Sequence, residues 1–274
     1  MIEQLFGATL LFKSSFEKGV YLETPKRNST PIWWQEIKGK DNSNFSWPIK
    51  LQDGSGTFQM ITNDANISAY IENSLEEVEG INRTKSRVLH QTIKKKEHEY
   101  SQDPYVIYTK DREQKQLYIR YSLKFPANLA NILGRDGWLA FSEYKTASDY
   151  RLAFYIYCNR EKSLYWYAHG DNVVLDDRPY KEYWSRESHE SVKAGEWMDI
   201  EIFWSRSKKD DGRVWLAVDG KVIIDYRGAT KLKEPIHEIM LFTNYASTPI
   251  EQWIDNIEIW DNFPCGEGKS CHKN

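Results

Sequence analysis

The sequence predicts an all-β protein, a β-sandwich jelly roll of two antiparallel sheets, and three observations carry that expectation. Short segments in which apolar and polar residues alternate recur from residue 16 to residue 260, and helical periodicity is scarce. Turn residues punctuate those segments; Asp219-Gly220, between VWLAV and KVIID, is the two-residue signal of a tight hairpin with positive φ angles. Strands with one apolar face each must bury that face against a second sheet.

Taken along the chain, residues 23 to 56 contain Pro25, Pro31, Pro48, the pair Trp33-Trp34 and a middle rich in Gly, Asp, Asn and Ser, so they read as long loops interrupted by short strands. RTKSRVLH, residues 83 to 90, places Arg83, Lys85 and Arg87 at alternate positions, on one face of a strand. Such a face is either a groove for an acidic polymer or an ordinary wet surface. KKKEHEYSQDP, residues 94 to 104, is a charge-rich surface loop. In QLYIRYSLKF, Leu117, Ile119, Tyr121, Leu123 and Phe125 share the core face, and Tyr118, Arg120, Ser122 and Lys124 the other. In RLAFYIYCN, Leu152, Phe154, Ile156 and Cys158 alternate with Arg151, Ala153, Tyr155, Tyr157 and Asn159. In LYWYAH, Leu164, Trp166 and Ala168 alternate with Tyr165, Tyr167 and His169; Gly170-Asp171 then reads as a turn, which puts His169 at a loop edge. EWMDIEIFW, GRVWLAVDGKVIIDY, EIMLFTNY and WIDNIEIW continue the pattern. One domain over residues 1–262 with a tail of 263–274 is the economical division of a chain of 274 residues without internal repeats.

Composition restricts the function classes. With 37 Lys+Arg against 40 Asp+Glu and a pI near 6.1, the chain lacks the global basic field of a nucleic-acid binder, so any anion site must be local. Its 17 Tyr and 11 Trp supply flat apolar faces with polar handles, which suit sugar rings. No stretch reaches the roughly 18 apolar residues of a membrane span, so neither a membrane nor a nucleic acid is an expected partner, and a monomer is expected. Cys265 and Cys271 bracket GEGKS and could form a small terminal disulfide, while Cys158 lies in an apolar run and reads as buried. A disulfide favours an extracellular or periplasmic location; MIEQLFGATLLF is itself a poor signal peptide, so the leader would be one already removed. His90, His98, His189, His237 and His272 lack zinc-ligand spacing. There is no E-x-D-x-x-E pair for retaining hydrolysis, no glycine-rich phosphate loop and no nucleophile elbow.

The run GEWMDIEIFW, GRVWLAVDGKVIID and WIDNIEIWD, with SFEKG near the start and SLKFP before DGWLAFSEYK, resembles the concanavalin A-like jelly-roll superfamily. The likeness covers roughly residues 14 to 262 and is nearest to heparin-lyase-like, glucuronan-lyase-like and alginate-lyase-like polysaccharide lyases. Alginate lyases of this fold carry an R-S/T-E-x-R strand, a Q-I/V-H strand and a late Y-x-K-x-G-x-Y strand. RTKSR, residues 83 to 87, is similar to the first with Lys85 in place of the glutamate; in SEYK, Glu143 and Lys145 stand where the second has glutamine and histidine; MLFTNY ends with Tyr245 but lacks the glycine of the third. In many jelly rolls of this kind the first and last strands adjoin and hold a structural calcium, which the resemblance places at Glu17 of SFEKG and Asp255 of WIDN. No other cofactor is expected.

The resemblance implies eliminative cleavage of an anionic, uronate-containing polysaccharide. That chemistry needs the substrate carboxylate neutralised, a base for the proton α to it, and an acid for the leaving oxygen. Arg83, Arg87 and Arg120 are candidates for the first task, since a guanidinium binds a carboxylate bidentately. His169 is the preferred base, with Tyr157 or Tyr167 beside it, and Tyr155, Tyr165, Glu143 and Lys145 complete the expected cleft. The rival readings are a non-catalytic carbohydrate-binding or lectin-like module that uses the same tyrosines and Trp33 or Trp34 as stacking platforms, and a structural protein that keeps the fold alone.

Overall fold

A computed structural model describes residues 4–5, 7–51, 54–62, 64–96, 105–108, 115–146, 150–172, 179–232 and 236–272. Most of the charge-rich loop at residues 94 to 104 lies outside them.

The described strands form two large antiparallel sheets and a small one. The front sheet runs in the order Glu182–Ser188, Leu164–Asp171, Arg151–Cys158, Trp138–Thr146, Ile236–Ala246, Tyr105–Tyr108, Gly54–Ile61, Ile32–Gln35, Lys26–Ser29. The back sheet runs Gln4–Leu5, Ala8–Ser14, Ile250–Trp260, Gln116–Lys124, Trp197–Ser205, Arg213–Val218, Lys221–Arg227. The hairpin Ile71–Glu79 and Lys85–Ile93 joins it through residues 250 to 254. This is the expected jelly-roll sandwich. The segment from residue 23 to 56 contains short strands, as its composition suggested.

Alternation decides what lies between the sheets. Leu152, Phe154, Ile156, Cys158, Trp166 and Ala168 from the front sheet, and Leu117, Ile119, Tyr121, Leu123, Ile200, Ile202 and Trp204 from the back sheet, are buried in one cluster. Tyr144 reaches across to Trp204, ring centroids 5.4 Å apart. At one edge the sheets meet through Trp184 stacked on Tyr226 at 3.9 Å and 10°. Asp219 and Gly220 take φ of 48° and 82°, the geometry that the hairpin signal requires.

The outer face of the back sheet is covered around Tyr118, Glu201, Phe203 and Trp215 by the C-terminal residues. Phe263 stacks on Phe203 at 4.1 Å and packs edge-on to Trp215. Glu201, fully buried, accepts hydrogen bonds from the Tyr118 and Ser270 hydroxyls and from the Cys271 amide. Cys265 and Cys271 form the disulfide that shapes this segment, and Cys158 is a buried free thiol. No described helix is long and apolar enough to cross a membrane.

Gly170 is not a turn residue. Its strand continues through Asp171, and a Cβ at Gly170 would stand 2.2 Å from Tyr150 Oη and 2.3 Å from Trp184 Nε1, whose mutual hydrogen bond occupies that space. Glycine is there for close packing, and His169 is consequently an interior residue of a strand. Gly170→Ala is therefore expected to lower stability by roughly 1–3 kcal/mol through overpacking, read by denaturant unfolding, with a loss of near-UV circular dichroism from Trp184.

Candidate functional site

The register of the front sheet assembles the site row by row. Tyr157 pairs with Tyr165, Tyr155 with Tyr167, Ala153 with His169, and Arg151 with Asp171. One strand further over, Trp138 stands opposite Tyr157, Glu143 opposite Ala153 and Lys145 opposite Arg151. On the other side Asp171 stands opposite Glu182. Since neighbours in alternate positions share a face, the core-facing set Leu152, Phe154, Ile156, Trp166 and Ala168 dictates that all of these side chains point outward. The seven residues Glu143, Lys145, Tyr155, Tyr157, Tyr165, Tyr167 and His169, expected from the sequence to share a cleft, lie on this one face.

The rings interlock. Tyr157 stacks on Tyr165 at 5.7 Å and meets Tyr167 edge-on at 5.2 Å. His169 packs edge-on against both Tyr155 at 5.2 Å and Tyr167 at 5.4 Å. Tyr155 is buried, whereas Tyr157, Tyr165 and Tyr167 keep part of each ring in solvent. Burial raises the pKa of all four phenols, so they remain protonated at neutral pH.

Around His169 the charges are arranged in pairs. Glu182 Oε2 accepts from the Tyr167 hydroxyl at 2.8 Å and lies 3.3 Å from His169 Nδ1. A carboxylate only accepts, so the proton of a neutral imidazole sits on Nδ1 and Nε2 carries the lone pair. Nε2 has no hydrogen-bond partner and lies 3.6 Å from Asp171 Oδ2. Asp171, fully buried, is neutralised by a fork from Arg151, Nε to Oδ1 at 3.0 Å and Nη2 to Oδ2 at 2.6 Å. Burial lowers the His169 pKa, with Arg151 adding to the effect and Asp171 and Glu182 opposing it. Burial pushes Glu182 upward, but hydrogen bonds from Ser185, Tyr167 and His169 outweigh it and hold the carboxyl below its usual range. Arg151, Asp171 and Glu182 are the members of this row that sequence reasoning passed over. Arg151 and Asp171 share the alternation parity of the tyrosines, which was the signal available; Gly170-Asp171 masked it by resembling a turn.

Three arginines assigned to the same cleft stand elsewhere. Arg120 projects from the outer face of the back sheet, where it forks onto Asp199 at 2.5 to 3.1 Å, and His272 Nδ1 meets the same carboxylate at 2.9 Å. Arg87 donates to the Val20 carbonyl at 2.8 Å. Arg83 is not on a strand: it occupies the turn between Ile71–Glu79 and Lys85–Ile93 at φ 57°. RTKSR is thus part turn and part strand, and belongs to the sheet opposite the tyrosines. Trp33 packs against the Met60, Ile67 and Tyr70 cluster with Arg27 above its ring at 5.8 Å.

Glu17 lies in the loop after Ala8–Ser14 rather than on the strand itself, and meets Asp255 through Ser86, whose hydroxyl is 2.7 Å from Asp255 Oδ2 and 3.2 Å from Glu17 Oε1. Among the described residues no group of three or more His, Cys, Asp or Glu side chains converges as a metal site. Burial, with Glu17 and Asp41 nearby, pushes Asp255 up to about 6.

No family model matches the chain, and no curated protein matches it in sequence. Among solved structures it is similar to the endo-beta-1,4-glucuronan lyase of the fungus Trichoderma reesei, with TM-score 0.48 and 9% identity over 69% of this chain and 89% of that one. It is also similar to alginate lyase vAL-1 from a Chlorella virus, with TM-score 0.45 and 11% identity over 69% and 88%. The binding domain of botulinum neurotoxin DC in complex with rat synaptotagmin II gives TM-score 0.42 and 11% identity over 74% of this chain and 45% of that one. Each is a likeness of fold.

The raised Asp255 pKa has a defined sign. Its folded value of about 6 exceeds the ordinary 3.8, so the stability linked to its proton is fully present below 3.8 and is lost as pH rises through 6. Asp255→Asn is therefore expected to raise the melting temperature by a few degrees at pH 7.5 and to leave it unchanged near pH 4, read by calorimetry. The same variant tests the calcium expectation, because an ion between Glu17 and Asp255 requires both carboxylates charged; a calcium-dependent loss of stability in Asp255→Asn would reveal it.

Proposed function

We propose that the tyrosine face of the front sheet holds a uronate-containing polysaccharide and cleaves it by β-elimination. The observation that carries the reading is the shared Glu182 oxygen, which binds the Tyr167 hydroxyl and His169 Nδ1 together at the centre of a row of tyrosines. Environment separates the two proton-moving roles. Burial keeps His169 neutral, so Nε2 has a lone pair with which to take the proton α to the substrate carboxylate. Burial keeps the Tyr157 hydroxyl protonated, so it suits the delivery of a proton to the leaving oxygen. As the C–H bond breaks, its electron pair forms the new double bond and expels that oxygen. Lys145, itself 4.0 Å from Glu143 Oε1, is the cation assigned to offset the carboxylate, because Arg151 is held more closely by its fork onto Asp171.

A second reading, a non-catalytic carbohydrate-binding face, is favoured by a specific observation: His169 is only 5% exposed and its Nε2 is closed from solvent. The half-exposed rings of Tyr157, Tyr165 and Tyr167 meet the needs of such a face without any proton transfer.

Incubation with glucuronan, alginate, heparin-type and pectic polymers separates the two. Elimination creates a conjugated unsaturated uronate, which absorbs near ~235 nm, and His169→Ala is expected to slow its appearance by about 10²–10⁴-fold. The rate of the unaltered protein should hold through about pH 6.5 and fall only at lower pH, because burial lowers the His169 pKa from the ordinary imidazole value. Retention in an affinity gel with no rise in absorbance on any polymer would leave the binding face as the function.

A further inference from the structure

We propose that the back sheet carries a second carbohydrate site, on the opposite side of the sandwich from the tyrosines, that takes a carboxylate-bearing sugar in the pocket between the turn at residues 80–84 and Trp197. The pocket encloses about 420 Å³ and is lined by Arg83, Lys124, Trp197, Glu79 and Glu196 with the turn backbone. That volume falls within the range of small-molecule sites, about 300–1,000 Å³.

Charge is the first argument. Arg120, Arg151 and Arg213 each fork onto an aspartate, at Asp199, Asp171 and Asp225. Among the described residues Arg83 and Lys124 form no ion pair, although both line one pocket. Glu79 and Glu196 line the same pocket and balance the formal charge, yet neither is drawn into an ion pair with Arg83 or Lys124, so the donors of both cations stay available to a carboxylate supplied from outside. Arg83 is held there at φ 57°, a left-handed conformation that glycine or asparagine adopts more cheaply. The turn is closed by Gly80 N to Thr84 O at 2.8 Å and Arg83 N to Gly80 O at 3.0 Å.

The aromatic floor is the second argument. Trp197 Nε1 donates to the Glu79 carbonyl at 2.7 Å, which ties the indole to the neighbouring hairpin. Register then aligns a continuous row: Lys124 stands opposite Trp197 on one side and Trp253 on the other, and Trp253 stands opposite His90. Lys124 Nζ lies 5.8 Å from the Trp253 ring centre, and His90 stacks on that ring at 4.6 Å and 9°. These side chains project outward, since Met198, Leu123, Ile254 and Leu89 beside them are core residues. The row runs on across four strands, but beyond Lys124 its polar groups are taken: Trp253 Nε1 donates to Glu76 at 2.6 Å and His90 lies between Glu76 and Glu251, so the pocket at Trp197 is the part left for a sugar.

Together these features select the ligand class. A carboxylate answers Arg83 and Lys124, ring hydroxyls can donate to Glu79 and Glu196, and the apolar face of a pyranose fits an indole. A bare sulfate or phosphate would gain nothing from Trp197 and has no ring hydroxyls to offer Glu79 and Glu196. The inference stands apart from catalysis on the front face and holds whether or not the tyrosine row cleaves its ligand.

Isothermal titration with an oligoglucuronate, against a neutral cello-oligosaccharide and inorganic sulfate as controls, tests it. The protein is used whole, both unaltered and with Tyr157→Ala and Tyr165→Ala combined to weaken the front face. A binding event that survives in the double variant is expected, together with a loss of about tenfold or more when Arg83→Ala or Lys124→Ala is added. Arg83→Lys should restore much of it, and neither control should compete. Arg83→Ala and Lys124→Ala both without effect would overturn the second site. So would no oligoglucuronate binding in any form, or sulfate competing as well as the sugar. Loss of all binding in the tyrosine variant would place the sugar on the front face alone, overturning this site and leaving the proposed function standing. Full retention there with loss in Arg83→Ala would do the reverse.

Discussion

Register in the front sheet is the constraint from which the site follows. Phe154, Ile156, Trp166 and Ala168 must face Ile202, Trp204 and the other buried residues of the back sheet. A slip of one residue between Arg151–Cys158 and Leu164–Asp171 would turn those side chains into solvent and drive Tyr155, Tyr157, Tyr167 and His169 into the core. The outward row is therefore held in place by hydrophobic burial on the face opposite to it. Gly170 strengthens the same constraint, because the Tyr150–Trp184 hydrogen bond above it fits only if no side chain is present. The packing that stabilises the sandwich and the positioning of His169 against Glu182 and Asp171 are one arrangement seen from two sides.

Burial also sets the electrostatic character of that row. Taking phenols and an imidazole out of water disfavours their charged forms, so the tyrosines hold their protons and His169 stays neutral. Carboxylates could not be buried beside them unpaired. Asp171, the buried one, is matched by Arg151, while the exposed Glu182 accepts from Tyr167, Tyr180, Ser185 and His169, which leaves a face that is polar in detail yet nearly balanced in charge.

Much of this was legible in the sequence because the period-two pattern is a direct consequence of strand geometry. Alternation alone separated Leu152, Phe154 and Ile156 from Tyr155 and Tyr157, and it placed Tyr165, Tyr167 and His169 on matching faces. The Asp219-Gly220 hairpin and the Cys265–Cys271 pair were equally readable. What alternation cannot supply is which sheet a strand joins. RTKSR has the spacing of a groove strand, but its strand pairs with residues 250 to 254 of the back sheet, and its first arginine lies in a turn. Arg120 has the right parity and the wrong sheet. Gly170 misled for a different reason: glycine before aspartate signals a turn in a loop and close packing in a strand, and only Tyr150 and Trp184, distant in sequence, distinguish the two.

The misplaced arginines bear on how the two faces divide recognition. A cation held by an aspartate fork, as Arg151, Arg120 and Arg213 are, has already exchanged water for a carboxylate, and a ligand must displace that partner before it gains a contact. A cation without such a partner pays no exchange of that kind. Arg83 and Lys124 are in the second condition, beside an indole anchored by its own hydrogen bond. The front sheet thus presents an ordered aromatic surface on which Arg151 and Glu182 are already engaged, and the back sheet presents two cations outside any ion pair beside Trp197.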